Sequence, residues 1–398
     1  VYDPRASYDG NTRVDVTIND GPLYPGRYRL TVTDTVTDLV GNRLDGNRDG
    51  VAGGDFVQYF TIDDIPADSV IEQPLNNNIA GATPLTLVQD VIEDSVWFTD
   101  LYGIGSQDPV YQNTWSDPDY WSFQAQAGDY ISISVSTPNS SVDPYVELRN
   151  ASDSHLSSDD NGGPNQDSLI SGYQIPSDGT YYARVGKSYS SSIAGNYELR
   201  VQVSRGVAME TDTQYHNDSI NNADAISLVD NGTSRNGSVF GIIQGSEGSN
   251  RDEDRFNLGL QTVGNAVELD LGIPDYSTLD GRVRVLDSNG NPVPDTDGDD
   301  TDGHFLATLA SNEIYYAEVT ANSGAGVLGG YLLDVSVFDA VPPEIRNVTR
   351  LPLAGPGSEV YEDALLADTP SVYLRLNETS GNVVADSSSH TDGPYDGS

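Results

Sequence analysis

Apolar and polar side chains alternate along this chain in short runs that stop at Gly, Asn, Asp and Pro. A period of two is the signature of a strand with one buried face, whereas an amphipathic helix repeats about every 3.6 residues. The clearest run is written twice. Gly179-Thr180-Tyr181-Tyr182-Ala183-Arg184-Val185 followed by Gly195-Asn196-Tyr197-Glu198-Leu199-Arg200-Val201 answers to Glu313-Ile314-Tyr315-Tyr316-Ala317-Glu318-Val319 followed by Gly329-Gly330-Tyr331-Leu332-Leu333-Asp334-Val335. Further strands are predicted over 13–18, 26–32 and 56–62, and the one short helical pattern, 362–367, is halted by Pro370. The pattern predicts an all-β chain of tandem β-sandwich modules joined by short linkers.

The repeat sets the expected divisions. One module spans 68–205 and a second 208–339, preceded by a partial module over 1–64 and followed by a linker and the start of another over 340–398. The openings of the two modules correspond, Ile79-Ala80-Gly81-Ala82-Thr83-Pro84 with Ile220-Asn221-Asn222-Ala223-Asp224-Ala225. So do their acidic-aromatic steps, Asp117-Pro118-Asp119-Tyr120-Trp121-Ser122-Phe123 with Asp252-Glu253-Asp254-Arg255-Phe256-Asn257-Leu258. Alternation places Trp121 and Tyr181 in a core, while Tyr111 and Trp115, in the insert 101–116, are candidates for an exposed contact.

The order of motifs in the first module, notably Asp119-Tyr120-Trp121-Ser122-Phe123, Ala127-Gly128-Asp129-Tyr130-Ile131-Ser132-Ile133, Ser158-Asp159-Asp160-Asn161-Gly162 and Gly179-Thr180-Tyr181-Tyr182, resembles the bacterial pre-peptidase C-terminal domain. That resemblance implies a β-sandwich appended to secreted proteases and other large exported proteins. The second module is similar but has Thr262-Val263-Gly264-Asn265 in place of the Ala-Gly-Asp turn, and Asn312-Glu313 before its tyrosines. Pro25-Gly26-Arg27-Tyr28-Arg29-Leu30-Thr31-Val32 with the turn 38–46 resembles the closing strands of a bacterial Ig-like domain, and 364–386 resembles the start of a laminin-G-like, concanavalin-type jelly roll. Both ends are thus expected to be pieces of domains within something longer.

Charge narrows the partners. The chain has 61 Asp and Glu against 19 Lys and Arg, a formal net charge of −42 over 398 residues. It repels nucleic acid, whose binding requires Lys and Arg to displace counterions, and no apolar run approaches the roughly 20 residues of a membrane-spanning helix. Such self-repulsion favours a salty medium or divalent cations. There is no cysteine, so disulfides contribute nothing.

Acidic turns carry the strongest chemical signal. Asp45-Gly46-Asn47-Arg48-Asp49-Gly50 fits the first half of a calcium loop in which alternate carboxylates point at one hard cation, with Asp55 one residue short of the twelfth position. Strands rather than helices flank it, which excludes an EF-hand and leaves either a calcium-stabilised turn or a solvated Asn/Asp/Gly turn. Asp159, Asp160, Asn161 and Asp167 form the matching loop of the first module. Asp295, Asp297, Asp299 and Asp302 lie in a stretch with five carboxylates in eight residues. Asp117 and Asp119 read either as ligands or as a strand-entry turn.

Catalytic patterns are absent from the sequence. His155, His216, His304 and His390 are scattered, with no H-E-x-x-H pair and no G-x-S-x-G elbow. The expectation is a non-catalytic, calcium-stabilised, secreted segment of a very large exported bacterial protein, serving a surface layer, sheath, extracellular filament or adhesin stalk. Its partners would be neighbouring modules or subunits of the same protein, or an extracellular polysaccharide or matrix protein. The alternative is the accessory substrate-binding region of a secreted hydrolase.

Overall fold

The computed structural model describes residues 3–8, 14–19, 22–107, 118–138, 140–188, 195–212, 216–244, 252–296, 298–299, 301–323 and 329–340, and the backbone of 383–384 and 393–394. Tyr111, Trp115, Asp117, Asp297 and the helical candidate at 362–367 lie outside these residues. The chain divides into two compact units, 1–341 and 342–398.

Two antiparallel hairpins come first: β1 (Asp3–Tyr8) with β2 (Val14–Asn19), and β3 (Gly26–Val32) with β4 (Phe56–Ile62). On the second hairpin Tyr28 stacks on Phe60 across the strands, with centroids 5.6 Å apart.

The first sandwich is built from β5 (Ser69–Ile71), β6 (Thr83–Pro84), β7 (Leu87–Gln89), β8 (Val96–Thr99), β9 (Tyr102–Gln107), β10 (Asp119–Ala125), β11 (Tyr130–Ser136), β12 (Pro144–Arg149), β13 (His155–Asp159), β14 (Ser168–Gln174), β15 (Gly179–Lys187) and β16 (Gly195–Ser204). One sheet runs β13-β12-β15-β10-β6. The other runs β14-β11-β16-β8-β7, with β9 also paired to β16 and β5 paired to β9.

Period-two alternation supplies the core. Trp121, Phe123, Tyr181, Ala183 and Val185 from one sheet meet Ile131, Ile133, Val135, Tyr197, Leu199, Val201 and Val203 from the other, all buried. Their neighbours in sequence face outward, so a one-residue slip would turn every strand inside out.

The second sandwich repeats this order with β17 (Ala208–Met209), β18 (Asp224–Ala225), β19 (Val229–Asp230), β20 (Ser234–Ile242), β21 (Glu253–Gln261), β22 (Asn265–Gly272), β23 (Asp280–Leu286), β24 (His304–Thr308), β25 (Glu313–Ser323) and β26 (Gly330–Asp339). Its sheets run β17-β20-β26-β22-β24 and β18-β21-β25-β23. In both sandwiches the second-last strand pairs with the acidic-aromatic strand, Trp121 lying opposite Ala183 and Phe256 opposite Ala317. Beyond 341 the described backbone is one short ladder, β27 (Val383–Val384) with β28 (Gly393–Pro394).

The turn entering β22 departs from the expectation. Although Thr262-Val263-Gly264-Asn265 lacks the Ala-Gly-Asp sequence, Gly264 (φ +91°) takes the left-handed conformation of Gly128 (φ +91°). The amides of Asn265 and Asp129 each return to the residue three before, at 3.1 Å. Glycine supplies the bend in both, because it adopts positive φ without steric penalty. Asp129 adds to the first turn by accepting the Gln126 amide at 2.8 Å, and it also holds Arg205 through two bonds of 2.8 and 2.9 Å.

The sandwiches meet over an apolar patch of Val96, Met209, Phe240, Ile242 and Leu332, flanked by Tyr130, Val207 and Tyr276. Phe98 and Tyr276 pack with centroids 4.4 Å apart. Gln202 donates to the Tyr276 hydroxyl at 3.0 Å, and the Asp275 amide donates to Asp90 at 2.8 Å.

Candidate metal centre

The densest chemistry lies where β17 leaves the joint and enters the second sandwich. Glu210, Asp212 and Asp254 bring carboxylate oxygens within 4.8 Å of one another, and Asp212, Asp218 and Asp252 form an overlapping group. Glu210 and Asp212 follow β17, Asn217 and Asp218 lie in the next loop, and Asp252 and Asp254 sit at the start of β21. Strand alternation turns Asp252 and Asp254 to the same side, one pleat apart. Five carboxylates therefore share one site, four of them buried.

Few donors answer them. The Ile242 amide donates to Glu210 Oε1 at 2.5 Å, the Tyr331 hydroxyl to Asp254 Oδ2 at 2.5 Å and the Gln244 amide to Asp252 Oδ2. Among the described residues, both oxygens of Asp212, Oδ1 of Asp252, Oδ1 of Asp254 and Oδ1 of Asn217 are buried with no hydrogen-bond partner. Buried polar atoms in proteins are otherwise almost always paired.

Burial, and then the neighbouring carboxylates, push Glu210, Asp212, Asp252 and Asp254 far above the ordinary carboxylate range. A set of hard oxygen donors converging without a counter-charge among the described residues fits a hard divalent cation, calcium above all, which takes six to eight oxygens at about 2.3–2.6 Å in irregular geometry. It lacks the thiolate or imidazole donors that favour softer metals. Glu210, Asp212, Asp218, Asp252, Asp254 and the Asn217 amide oxygen would hold the ion.

The first sandwich carries a thinner version. Glu72 takes the place of Glu210, Asn76 that of Asn217, Asp119 that of Asp254 and Tyr197 that of Tyr331. The Ser106 amide donates to Glu72 at 3.1 Å and the Tyr197 hydroxyl to Asp119 at 2.7 Å. Asn76 Oδ1 is again buried without a partner among the described residues. Where the second centre has Asp212 and Asp218, however, the first has Pro74 and Asn77.

Each centre also touches what precedes it. Ser171 on β14 donates to the Glu210 carbonyl at 3.0 Å and accepts from the Asp212 amide at 3.3 Å. The Tyr24 hydroxyl, just before β3, donates to the Glu72 carbonyl at 2.9 Å.

The acidic loops singled out from the sequence are organised differently. Asp45 accepts the Asp49 and Gly50 amides at 3.1 and 2.9 Å, Asn47 and Asp49 bond each other at 2.9 Å, and Asp55 accepts the Asp34 amide at 3.0 Å. Asp159 accepts Gly162 and Leu169 at 2.7 and 2.9 Å, and Asp167 accepts the Thr137 amide and hydroxyl, both at 3.0 Å. Ser188 reaches Asp160 at 3.3 Å, while Asn161 is exposed beside it. Asp295 accepts Leu306 at 3.3 Å, Asp299 the Thr301 amide at 3.1 Å and Asp302 the His304 amide at 3.0 Å. Most of these are carboxylates accepting backbone amides, although Asp160 Oδ1 and Asp295 Oδ2 are buried without a partner among the described residues. None belongs to the carboxylate groups gathered within 4.8 Å among the described residues.

A third group, Glu268, Asp270 and His304, lies on the outer face of β22 and β24. His304 Nδ1 stands 2.8 Å from Asp270, which raises the imidazole above its ordinary value.

The residues that matter were in view as Asp252-Glu253-Asp254 but lacked partners distant in sequence. The missed signal is Asn76-Asn77-Asn78-Ile79 against Asn217-Asp218-Ser219-Ile220, together with the preceding Glu72 and Glu210.

Residues 117–187 match the bacterial pre-peptidase C-terminal domain. One such domain is present, of a kind typical of secreted bacterial proteins. Among curated proteins none matches the chain.

Solved structures resemble it only distantly. The periplasmic inhibitor of g-type lysozyme PliG from Salmonella Typhimurium is 17% identical, covering 31% of this chain and 100% of its own, at a TM-score of 0.20. Tripeptidyl peptidase 2 is 10% identical over 82% of this chain and 27% of its own, at 0.21. The complex of plant peptide RALF23 with FER and LLG2 is 10% identical over 67% and 93%, also at 0.21. Likeness at this level says nothing further of this chain. Among the described residues no helix is long and apolar enough to cross a membrane.

Proposed function

We propose that this chain is a non-catalytic, calcium-stabilised segment of an exported bacterial protein, in which β-sandwich beads are locked end to end at acidic centres. The second sandwich would be a further domain of the pre-peptidase C-terminal type, flanked by Ig-like and laminin-G-like neighbours. One observation carries the reading: Asp212, buried with both oxygens unpartnered among the described residues, sits three residues beyond Met209 of the apolar joint and shares Ser171 with Glu210. An ion there would neutralise the carboxylates and, through Glu210 and Asp212, fix the backbone that Ser171 grips. This suits an architectural or adhesive role in which the angle between beads must persist.

Calorimetric titration with calcium, combined with small-angle scattering in calcium and in chelator, tests it. Calcium binding at micromolar or tighter affinity, with a narrower spread of particle dimensions, is expected. Absence of binding, or equal dimensions in both conditions, overturns it. The match over 117–187 to a domain named for peptidases favours a second reading, the accessory region of a secreted hydrolase. Binding to collagen, chitin or alginate in pull-down would select that reading.

A further inference from the structure

The central strands of the two sandwiches share Tyr-Tyr-Ala-X-Val, in which X is Arg184 on β15 and Glu318 on β25. Their partners on β12 and β23 are as alike, Val146-Glu147-Leu148 and Val283-Arg284-Val285. Registers coincide, with Val146 opposite Val185, Glu147 opposite Arg184 and Leu148 opposite Ala183 in the first sandwich. In the second, Val283 lies opposite Val319, Arg284 opposite Glu318 and Val285 opposite Ala317. The core-facing residues give each β12-like strand no reason to prefer its own sheet. The outward pair does differ, and it differs by exchange of sign.

Both pairs are screened from water and bonded. Arg184 reaches Glu147 at 2.8 Å and Arg149 grips the same carboxylate at 2.7 Å, with the Glu147 side chain 9% exposed. Arg284 reaches Glu318 at 2.5 Å and Arg255 on β21 joins at 2.8 Å, with Glu318 3% exposed. Were β12 to pair with β25, Glu147 would face Glu318; were β23 to pair with β15, Arg284 would face Arg184. Pairing β21 with β15 would set Arg255 against Arg184. Like charges directly opposite in a sheet are destabilising, the more so where water is excluded.

We propose that Glu147–Arg184 and Arg284–Glu318 act as a strand-pairing code that keeps these adjacent sandwiches from exchanging strands while they fold. Exchange between similar neighbours is a characteristic failure of multidomain chains, and specificity against it requires a repulsive element as well as an attractive one.

The chain has no cysteine, so an introduced pair reports without competition. Tyr145 lies opposite Gly186 and Thr320 opposite Arg282, so cysteines at 145 and 320 face each other only when β12 lies on β25. The full chain carrying Tyr145→Cys and Thr320→Cys is refolded from denaturant at high dilution under oxidising conditions, and the cross-linked monomer is quantified by mass spectrometry. Adding Glu147→Arg with Arg184→Glu makes β12 complementary to β25 and should raise the cross-linked fraction several-fold. Adding Arg255→Tyr, Arg284→Glu and Glu318→Arg instead should do the same. In the native-charge chain, refolding in about 1 M salt, where the screening length falls to about 3 Å, rather than in about 0.05 M should also raise it. An unchanged fraction in the folded charge-reversed chains overturns the proposal. Should those chains fail to fold, an unchanged fraction between low and high salt overturns it.

Discussion

The Tyr331 hydroxyl donates to Asp254 Oδ2 at 2.5 Å, at the place where Tyr197 donates to Asp119 at 2.7 Å. The two tyrosines differ in their other bond. Tyr197 also accepts from Trp121 Nε1 at 2.9 Å, whereas Tyr331 has Glu210 as its second neighbour, at 3.3 Å. Tyr331→Phe strips Asp254 of its donor and should lower stability by about 1–3 kcal/mol in chelator. The loss should be smaller in calcium, where the ion serves that carboxylate. Tyr197→Phe orphans Trp121 as well, and should cost a similar amount with or without calcium. Urea unfolding of both variants in the two conditions separates them.

Asp212 has no donor among the described residues and is the hub shared by both carboxylate groups. Replacing it by Asn removes the cost of burying or protonating that carboxylate. Asp212→Asn should therefore raise the melting temperature in chelator yet lose most of the rise that calcium gives the parent. A ligand at 100 times its dissociation constant stabilises by about 2.7 kcal/mol. Differential scanning calorimetry across a calcium series reads both changes, and a variant that keeps the full calcium response would remove Asp212 from the centre.

The same carboxylates set a pH dependence. Unfolded Asp ionises near pH ~4, whereas burial first and neighbouring carboxylates second raise folded Asp212 and Asp252 to about 10. Between those values the unfolded chain binds fewer protons than the folded one, so stability in chelator falls as pH rises from about 5 to about 8. Calcium requires the ionised form, and its stabilisation grows over that same interval. Thermal melts at several pH values, with and without chelator, should give trends of opposite sign.

Gly241 on β20 lies flat beneath Tyr331, and a Cβ there would stand 2.2 Å from the hydroxyl and 2.7 Å from Glu210 Oε2. Gly105 has the same relation to Tyr197, also at 2.2 Å. Gly241→Ala should displace the tyrosine, lower stability by about 1–3 kcal/mol and weaken calcium binding. Gly105→Ala should destabilise comparably but leave binding at the second centre intact. Titration calorimetry and urea unfolding of the pair decide this.

The strands were legible because their alternation is local. Runs expected at 26–32, 56–62, 179–185 and 313–319 are strands, and Trp121 and Tyr181 are buried as their phase required. The centre was not legible. Acidic loops such as 295–302 draw the eye by density, yet exposed carboxylates in a turn can bond their own backbone, as Asp299 does with Thr301. The carboxylates left without donors are those that folding buries. Glu210 is placed by the pairing of β17 with β20 and Asp254 by that of β21 with β25 in the opposite sheet, and no spacing within one segment encodes their meeting.

Between β16 and β17 lie only Arg205, Gly206 and Val207, and Val207 is held both by the joint and by Ser204 at 2.7 Å. At roughly 3.4 Å per residue, three residues stretch to about 10 Å. There is almost no slack to draw out, so tension on this segment would be carried by the hydrogen-bond ladders themselves and released in jumps as whole strands peel away, a sawtooth rather than a spring.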